Sequence, residues 1–392
     1  MGEAGEETSV LRGSPEQRSR WSSLGRGFRQ RNPLVLVVAA LLAAAALFAF
    51  QDVLLQGEFT AISQGRFLRI ANDDYVHISY KLAQLKKHPP AGPTIYLFGG
   101  SGAMESMVSE RSMAAAVQRA GGGKVNVVSL SAHQETLAQT LAIIDNLPSG
   151  PAVLAIGLTP MRFTTPPAAD AGLLSGRPIL VRSPRLAQLA PRLYGRSSPF
   201  WGVLPGVFDY AGAYLRARAA DGPFWGVRIP YVGHYYPAGA KAALPLAKRQ
   251  EIFKVLARDR RLYSENADYN FIVLSEVLRL AQERGYVVVF WDQPLNASAA
   301  GADWGGVVPQ YRRRAEALAR SRSVPYIQLE PGLALRDADF ADLYHLLARG
   351  RAKWQPAMAR QLATAVRKLG GAAVHSPQGM ATPTPTGTPA TP

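Results

Sequence analysis

No cysteine occurs among the 392 residues, so disulfides, thiolate zinc centres, iron–sulfur clusters and a cysteine nucleophile are excluded on either side of a membrane. Phosphate and dinucleotide fingerprints are missing too. Gly99-Gly100-Ser101-Gly102 has no lysine after it, as a P-loop of the form GxxxxGK[ST] requires, and Ala103-Met104-Glu105 stands where a dinucleotide turn needs its third glycine. Ala103 also occupies the final place of a GxSxG elbow. The chain lacks helix-turn-helix, RNP-type and zinc signatures and has no internal repeat. Negative charge is scarce: 28 acidic residues face 44 Lys and Arg, a net charge of +16.

An apolar share of 47% over this length predicts a packed core in one large or two modest domains. Residues 33–50 (PLVLVVAALLAAAALFAF) form an uncharged run of 18, which as a helix spans about 27 Å at roughly 1.5 Å per residue, close to the thickness of a bilayer core. A cleaved signal peptide is the alternative. The run is longer than a usual signal core and no small-x-small site follows it before Gln51, so a single membrane anchor is expected over residues 33–52. Arg12, Arg18, Arg20, Arg26, Arg29 and Arg31 precede it and keep the N-terminus cytoplasmic. The main domain is then periplasmic or extracellular on an inner membrane. The leader, residues 1–32, carries only +2 because Glu3, Glu6, Glu7 and Glu16 offset those arginines, which leaves +14 to the exported part. Such a domain suits anionic lipid headgroups or acidic polymers, and solubility alone explains the charge equally well. Nucleic acid is disfavoured.

After a juxtamembrane segment, residues 53–89, short apolar runs alternate with amphipathic ones. Strands are expected at Thr94–Phe98, Val125–Leu130, Val153–Gly157, Tyr286–Trp291 and Pro325–Leu329, and helices at Met104–Arg119, Glu135–Leu147, Asn270–Arg284 and Tyr311–Arg320. In the third helix Leu274, Val277, Leu278 and Ala281 follow the i, i+3, i+4, i+7 rule and Gly285 supplies the stop. The alternation predicts an α/β fold: a three-layer, flavodoxin-like parallel sheet with helices on both faces and its active residues at the carboxyl ends of the strands. The catalytic domain is expected over 90–163 and 246–372. Residues 164–245, rich in proline, glycine, arginine and aromatics, read as an insertion or lid, and 373–392 as a disordered tail.

Ser101 ends the first core strand, where flanking glycines allow a tight turn and bring amides close to the hydroxyl. A serine hydroxyl needs an imidazole to take its proton, and the imidazole needs a carboxylate to fix its tautomer. Asp342 and His345, three residues apart, can supply both from one loop. DxxH also occurs as Asp74-Tyr75-Val76-His77, so the alternative base pair Asp74/His77 stays open. The setting of the later copy, with Leu346, Leu347, Gly350 and Trp354 before an amphipathic stretch through Ala363 and Val366, distinguishes it. His133 and His234 read as packed or hydrogen-bonded side chains, and Asp292 as either a ligand contact or a cap.

The glycine-serine turn and the distal DxxH with its apolar, glycine-bearing helix start resemble the SGNH/GDSL hydrolase superfamily. The anchor, the stretch VVVFWDQPLN at 287–296 and DLYHLLARGRAKW at 342–354 are similar to the membrane-anchored DltD-like branch. The resemblance covers roughly residues 90–160 and 270–370. It implies Ser101 as nucleophile, His345 as base, Asp342 as its orienter, no metal or organic cofactor, and a membrane-bound O-acyltransferase as partner in modifying an envelope polysaccharide. The backbone amides of Ser101 and Gly102, with Thr159, are the expected oxyanion donors. The pattern departs in two places: Ser129-Leu130-Ser131-Ala132-His133-Gln134 replaces an NLGxSG-like run, and Gly157-Leu158-Thr159-Pro160 replaces GxND. One missing oxyanion donor typically costs about a hundredfold to a thousandfold in turnover. Slow acyl transfer with a dedicated donor is therefore expected over fast ester hydrolysis, and a non-catalytic scaffold that binds polymer or partner is the remaining alternative. Substitution by the alginate-acetylation arrangement, in which the acid-histidine pair precedes the serine, would use Asp74 and His77.

Overall fold

The computed structural model describes residues 33–55, 74–176, 183–195, 256–296, 299, 304 and 306–373. The expected leader, His234, most of the expected insertion and the expected disordered tail from residue 374 lie outside them. The chain divides into two units, Met1–Val53 and Leu54–Pro392. In the first, helix α1 runs from Pro33 into Leu55, with side chains described only through residue 46. Among the described residues no helix is long and apolar enough to cross a membrane, so the fold does not establish the expected span.

Among the described residues the second unit holds α2 (Asp74–Lys87), β1 (Thr94–Phe98), α3 (Ser101–Met104), α4 (Glu110–Val117), β2 (Asn126–Ser129), α5 (Leu137–Asp145) and β3 (Ala152–Leu158). It continues through α6 (Pro167–Gly176), α7 (Pro184–Tyr194), α8 (Leu256–Glu283), β4 (Val287–Asp292), α9 (Val307–Ser321), β5 (Tyr326–Ile327), α10 (Glu330–Leu333) and α11 (Ala348–Ala373). The five strands form one sheet in the order β2-β1-β3-β4-β5, all parallel. An α/β fold with a parallel sheet was expected, and this is what forms.

Every residue of β1 and β3 is buried, because helices cover both faces and a period-2 strand then has no wet side. Tyr96, Phe98, Leu154, Ile156, Val288 and Phe290 face a core shared with α2, α5, α7, α8 and α9. Their alternates Ile95, Leu97, Val153, Ala155, Val289 and Trp291 face a second core under α4 and α11. Each such apolar side chain taken fully out of water contributes about 1.5–3 kcal/mol. Leu186, Leu189 and Leu193 of α7 belong to the first core. The part of 164–245 that is described thus packs into the first core.

The chain passes from β1 out to β2 and returns on the other side to β3, so the order reverses between β1 and β3. Open parallel sheets bind ligands at such a switch point, above the carboxyl ends of the strands. At the β2 edge, Ser129 donates its amide to Glu110 Oε1 (2.7 Å) and its carbonyl accepts from Lys81 Nζ (2.7 Å), while Lys81 and Glu110 pair at 2.6 Å.

Candidate active site

β1 delivers Ser101 to the switch point through a turn that only glycine permits. Gly99 has φ of +150°, and a Cβ there would stand 2.6 Å from Ala103 Cβ and 2.9 Å from Gln293 Nε2. Gly100 continues in extended backbone, and its carbonyl accepts from the amides of Ala103 and Met104 at 3.0 and 3.2 Å. The turn thus closes directly into α3. The Ser101 and Gly102 amides open that helix and have no acceptor within it.

The base comes from a loop between residue 339 and α11, closed by the Phe340/Leu346 bridge and by Ala341 N donating to His345 O at 2.8 Å. Asp342 Oδ1 accepts from the amides of Tyr344 and His345, both at 2.9 Å, and Oδ2 lies 2.7 Å from His345 Nδ1. His345 Nε2 lies 2.9 Å from Ser101 Oγ. Ser101, His345 and Asp342, 244 residues apart from end to end of the bond that joins serine and histidine, are brought together. Asp342 and His345 are both buried. Burial raises the Asp342 pKa, but the bonds from the His345 ring and from the amides of Tyr344 and His345 outweigh it, leaving the carboxyl below its ordinary value. An ionised Asp342 holds the proton on Nδ1, which leaves Nε2 to accept one from the serine.

Asn296 fixes the loop from below: its amide donates to Leu343 O at 2.8 Å, and Nδ2 reaches Asp337 Oδ1 at 2.8 Å and Asp342 O at 3.4 Å. Asp339, behind the loop, binds Arg349 Nε (2.9 Å), Lys353 Nζ (2.8 Å) and the Arg336 amide (2.8 Å). Gly350 is required there, since a Cβ would meet Asp339 O at 2.5 Å. Serine side and base side are tied to each other by the buried pair Glu105–Arg351, 3.1 Å apart, four residues after one and six after the other.

Beneath the serine turn lies a second buried pair. Arg162 Nη2 meets Glu135 Oε1 at 3.2 Å and Thr140 Oγ1 at 2.5 Å, and Nη1 donates to Gly157 O at 2.8 Å. Glu135 in turn accepts from the amides of Ala132 and Gly99. Burial pushes its carboxyl up to about 7, against the opposing pull of Arg162, Thr140 and those amides. Gln293, next after β4, donates Nε2 to Gly157 O at 3.0 Å and presents Oε1 3.1 Å from the position a Gly102 Cβ would take.

Thr159 follows β3, and its buried Oγ1 has no hydrogen-bond partner among the described residues. Phe98 and Ile156 are in register, so Thr159 and Ser101 each stand three residues beyond a matched pair on neighbouring strands. Asp292 accepts from Tyr311 and Tyr326 hydroxyls and pairs with Arg312 Nε at 2.6 Å, an anchoring role away from the serine. The Ser101 hydroxyl bonds His345 and not His77. Burial, with Lys81 nearby, lowers the His77 pKa to about 3, and Asp74 Oδ2 accepts the His133 amide at 2.8 Å. Among the described residues no cluster of three or more His, Asp or Glu could hold a metal ion. Gln293, Asn296 and the two buried ion pairs were not singled out from sequence. Gln293 alone had a signal, its place just past a buried strand at the carboxyl edge. No family model and no curated protein matches this chain.

Proposed function

We propose that the chain is a membrane-anchored, extracytoplasmic SGNH-type acyl-transfer protein that modifies hydroxyls of a cell-envelope polysaccharide or similar polymer. The observation that carries this reading is the continuous relay from Asp342 Oδ2 through the His345 ring to Ser101 Oγ, at 2.7 and 2.9 Å. In the first half-reaction Ser101 Oγ attacks an ester or thioester carbonyl while His345 Nε2 takes its proton. The imidazolium returns that proton to the leaving oxygen or sulfur, and the acyl group stays on Ser101. In the second, an acceptor hydroxyl gives its proton to Nε2 and its oxygen takes the acyl group, which restores the serine. The Ser101 and Gly102 amides face the developing oxyanion, and the Thr159 hydroxyl stands where the missing asparagine of the family pattern would contribute.

The anchor in this reading is the uncharged run of residues 33–50, which as a helix would span about 27 Å at roughly 1.5 Å per residue. Leu34, Val35, Val37, Val38, Leu41 and Leu42 are exposed on it, as suits lipid contact. The acyl group would come from a membrane-bound O-acyltransferase. The test is Ser101→Ala in cells: envelope acylation is lost at normal protein level, and unchanged acylation overturns the reading. Rapid turnover of small acetyl esters by the purified chain, with no transfer to added polymer, would instead favour a carbohydrate esterase.

A further inference from the structure

α8 is 28 residues long, about 42 Å at roughly 1.5 Å per residue, whereas the seven-residue β3 covers only about 23 Å at roughly 3.3 Å. Both ends of the helix can be placed against the sheet. At its C-terminal end Arg284 Nη2 donates to Asp145 O at 2.7 Å and Tyr286 Oη to Pro148 O at 2.9 Å, just before β3 begins. Midway, Asn266 Nδ2 reaches Thr164 O at 3.4 Å and Asn270 Nδ2 reaches Thr165 O at 2.9 Å, just after β3 ends. Everything N-terminal of Asn266 therefore rises past the carboxyl edge of the sheet, the edge that holds Ser101.

Asp259, Tyr263, Asn266 and Asn270 recur at i, i+4, i+7 and i+11, which is one face of a helix. All four are buried. The lower two donate their amide nitrogens to the chain beyond β3, although Asn270 Oδ1 is itself unmatched among the described residues. At the upper two, Asp259 Oδ2 and Tyr263 Oη have no hydrogen-bond partner among the described residues, although the residues are only 2% and 1% exposed. A buried polar atom left unmatched is unfavourable, so two of them on one helix face call for a physical reason. Arg258 touches the other oxygen of Asp259, Oδ1, at 3.4 Å. Tyr344, partly buried, bridges to the serine: its backbone oxygen lies 3.4 Å from the position of a Gly102 Cβ, and its hydroxyl feels the charges of Asp259 and Asp342.

We propose that Asp259 and Tyr263 form a subsite for a neutral, hydroxyl-rich ligand of the carbohydrate class. Its role as an acceptor subsite rests on the reading of Ser101 as nucleophile. The donor set defines the ligand. A carboxylate oxygen accepts only, and the phenol hydroxyl both accepts and donates, so the wall is matched by groups that give protons. Sugar hydroxyls do so, whereas phosphate or uronate oxygens would meet the Asp259 charge.

The test uses the full-length chain in detergent, an array of neutral and uronic-acid oligosaccharides, and, separately, a fluorophosphonate that reports on Ser101 in the wild type. Wild type and Ser101→Ala are expected to bind one or more neutral members and to leave the uronates. Asp259→Asn and Tyr263→Phe are expected to weaken that binding about tenfold each, with unfolding temperatures unchanged or raised, because each removes an unmatched buried group. Wild type that binds no neutral member, or variants that bind as tightly as wild type, overturn the subsite. So does a fall in unfolding temperature that tracks the lost affinity in both variants, which assigns the pair to the fold. Absence of Ser101 labelling with the binding pattern intact removes the acyl-transfer reading and leaves the subsite standing.

Discussion

The serine turn and the histidine loop meet at one hydrogen bond, yet they are held by different physics. Around Ser101 the geometry is set by exclusion: Gly99 and Gly157 leave no room for a methyl, the latter because a Cβ would fall 2.9 Å from Phe98 O and from the Trp291 ring. Around His345 it is set by attraction, with Asp342, Asn296, Asp337 and Asp339 together accepting or donating most of the bonds that shape the loop. The first arrangement is intolerant of volume. The second is intolerant of lost charge.

The largest effect tests whether the two halves act as a unit. His345→Ala and Asp342→Asn are each expected to lower ester or acyl-transfer turnover by roughly 10⁴, with no further loss when either is combined with Ser101→Ala. Additive losses measured on the same donor would separate the halves. Next comes volume against bonding. Gly99→Ala is expected to destabilise by about 2–3 kcal/mol through overpacking and a strained φ, whereas Asn296→Ala costs about 1–3 kcal/mol for the polar groups it leaves unmatched. Denaturant unfolding ranks the two, and the reverse order would refute the contrast.

The smallest effect is the dependence on pH, and its sign differs between the halves. Asp342 and Asp339 are both held below the ordinary value of 3.8, Asp339 because Lys353, the Arg336 amide and Arg349 outweigh its burial. Their contribution is present above that pH and lost as pH falls through the lowered values. Glu135, under the serine turn, is raised from 4.5 to about 7. Its contribution is present below pH 4.5 and lost as pH rises through about 7. Glu135→Gln should therefore flatten the fall in unfolding temperature between pH 5 and 8, and an unaltered slope would place its cause elsewhere.

How much of this was legible in the sequence follows the same division. β1 was expected at Thr94–Phe98 and forms there, because a strand buried on both faces advertises itself as a continuous apolar run. The edge strand β5 shrinks to Tyr326–Ile327, since among the described residues no strand pairs with its outer side. The expected helix Met104–Arg119 breaks: Ser109 caps α4 by exchanging bonds with Ser112 at 3.0 and 3.1 Å, a stop and restart that the apolar spacing hides. α8 begins at Leu256, well ahead of the expected Asn270, because its upper face carries Asp259, Tyr263 and Asn266 where an apolar template looks for leucines. Glu135–Arg162 and Glu105–Arg351 were beyond reach, being partners 27 and 246 residues apart whose spacing has no local signature. The triad was readable because its chemistry demands three particular side chains, while its supports can be built from many.

The bond pair at Ser129 has a consequence for behaviour at high concentration. An outer strand with a bare amide and carbonyl invites a neighbouring molecule to add its own strand. Lys81 and Glu110 fill those two positions, and the opposite margin is two residues long, too short to template growth. At Ser129 the border therefore offers no free amide and carbonyl to an added strand. Replacing Lys81 and Glu110 with alanine would open a place for filaments to start.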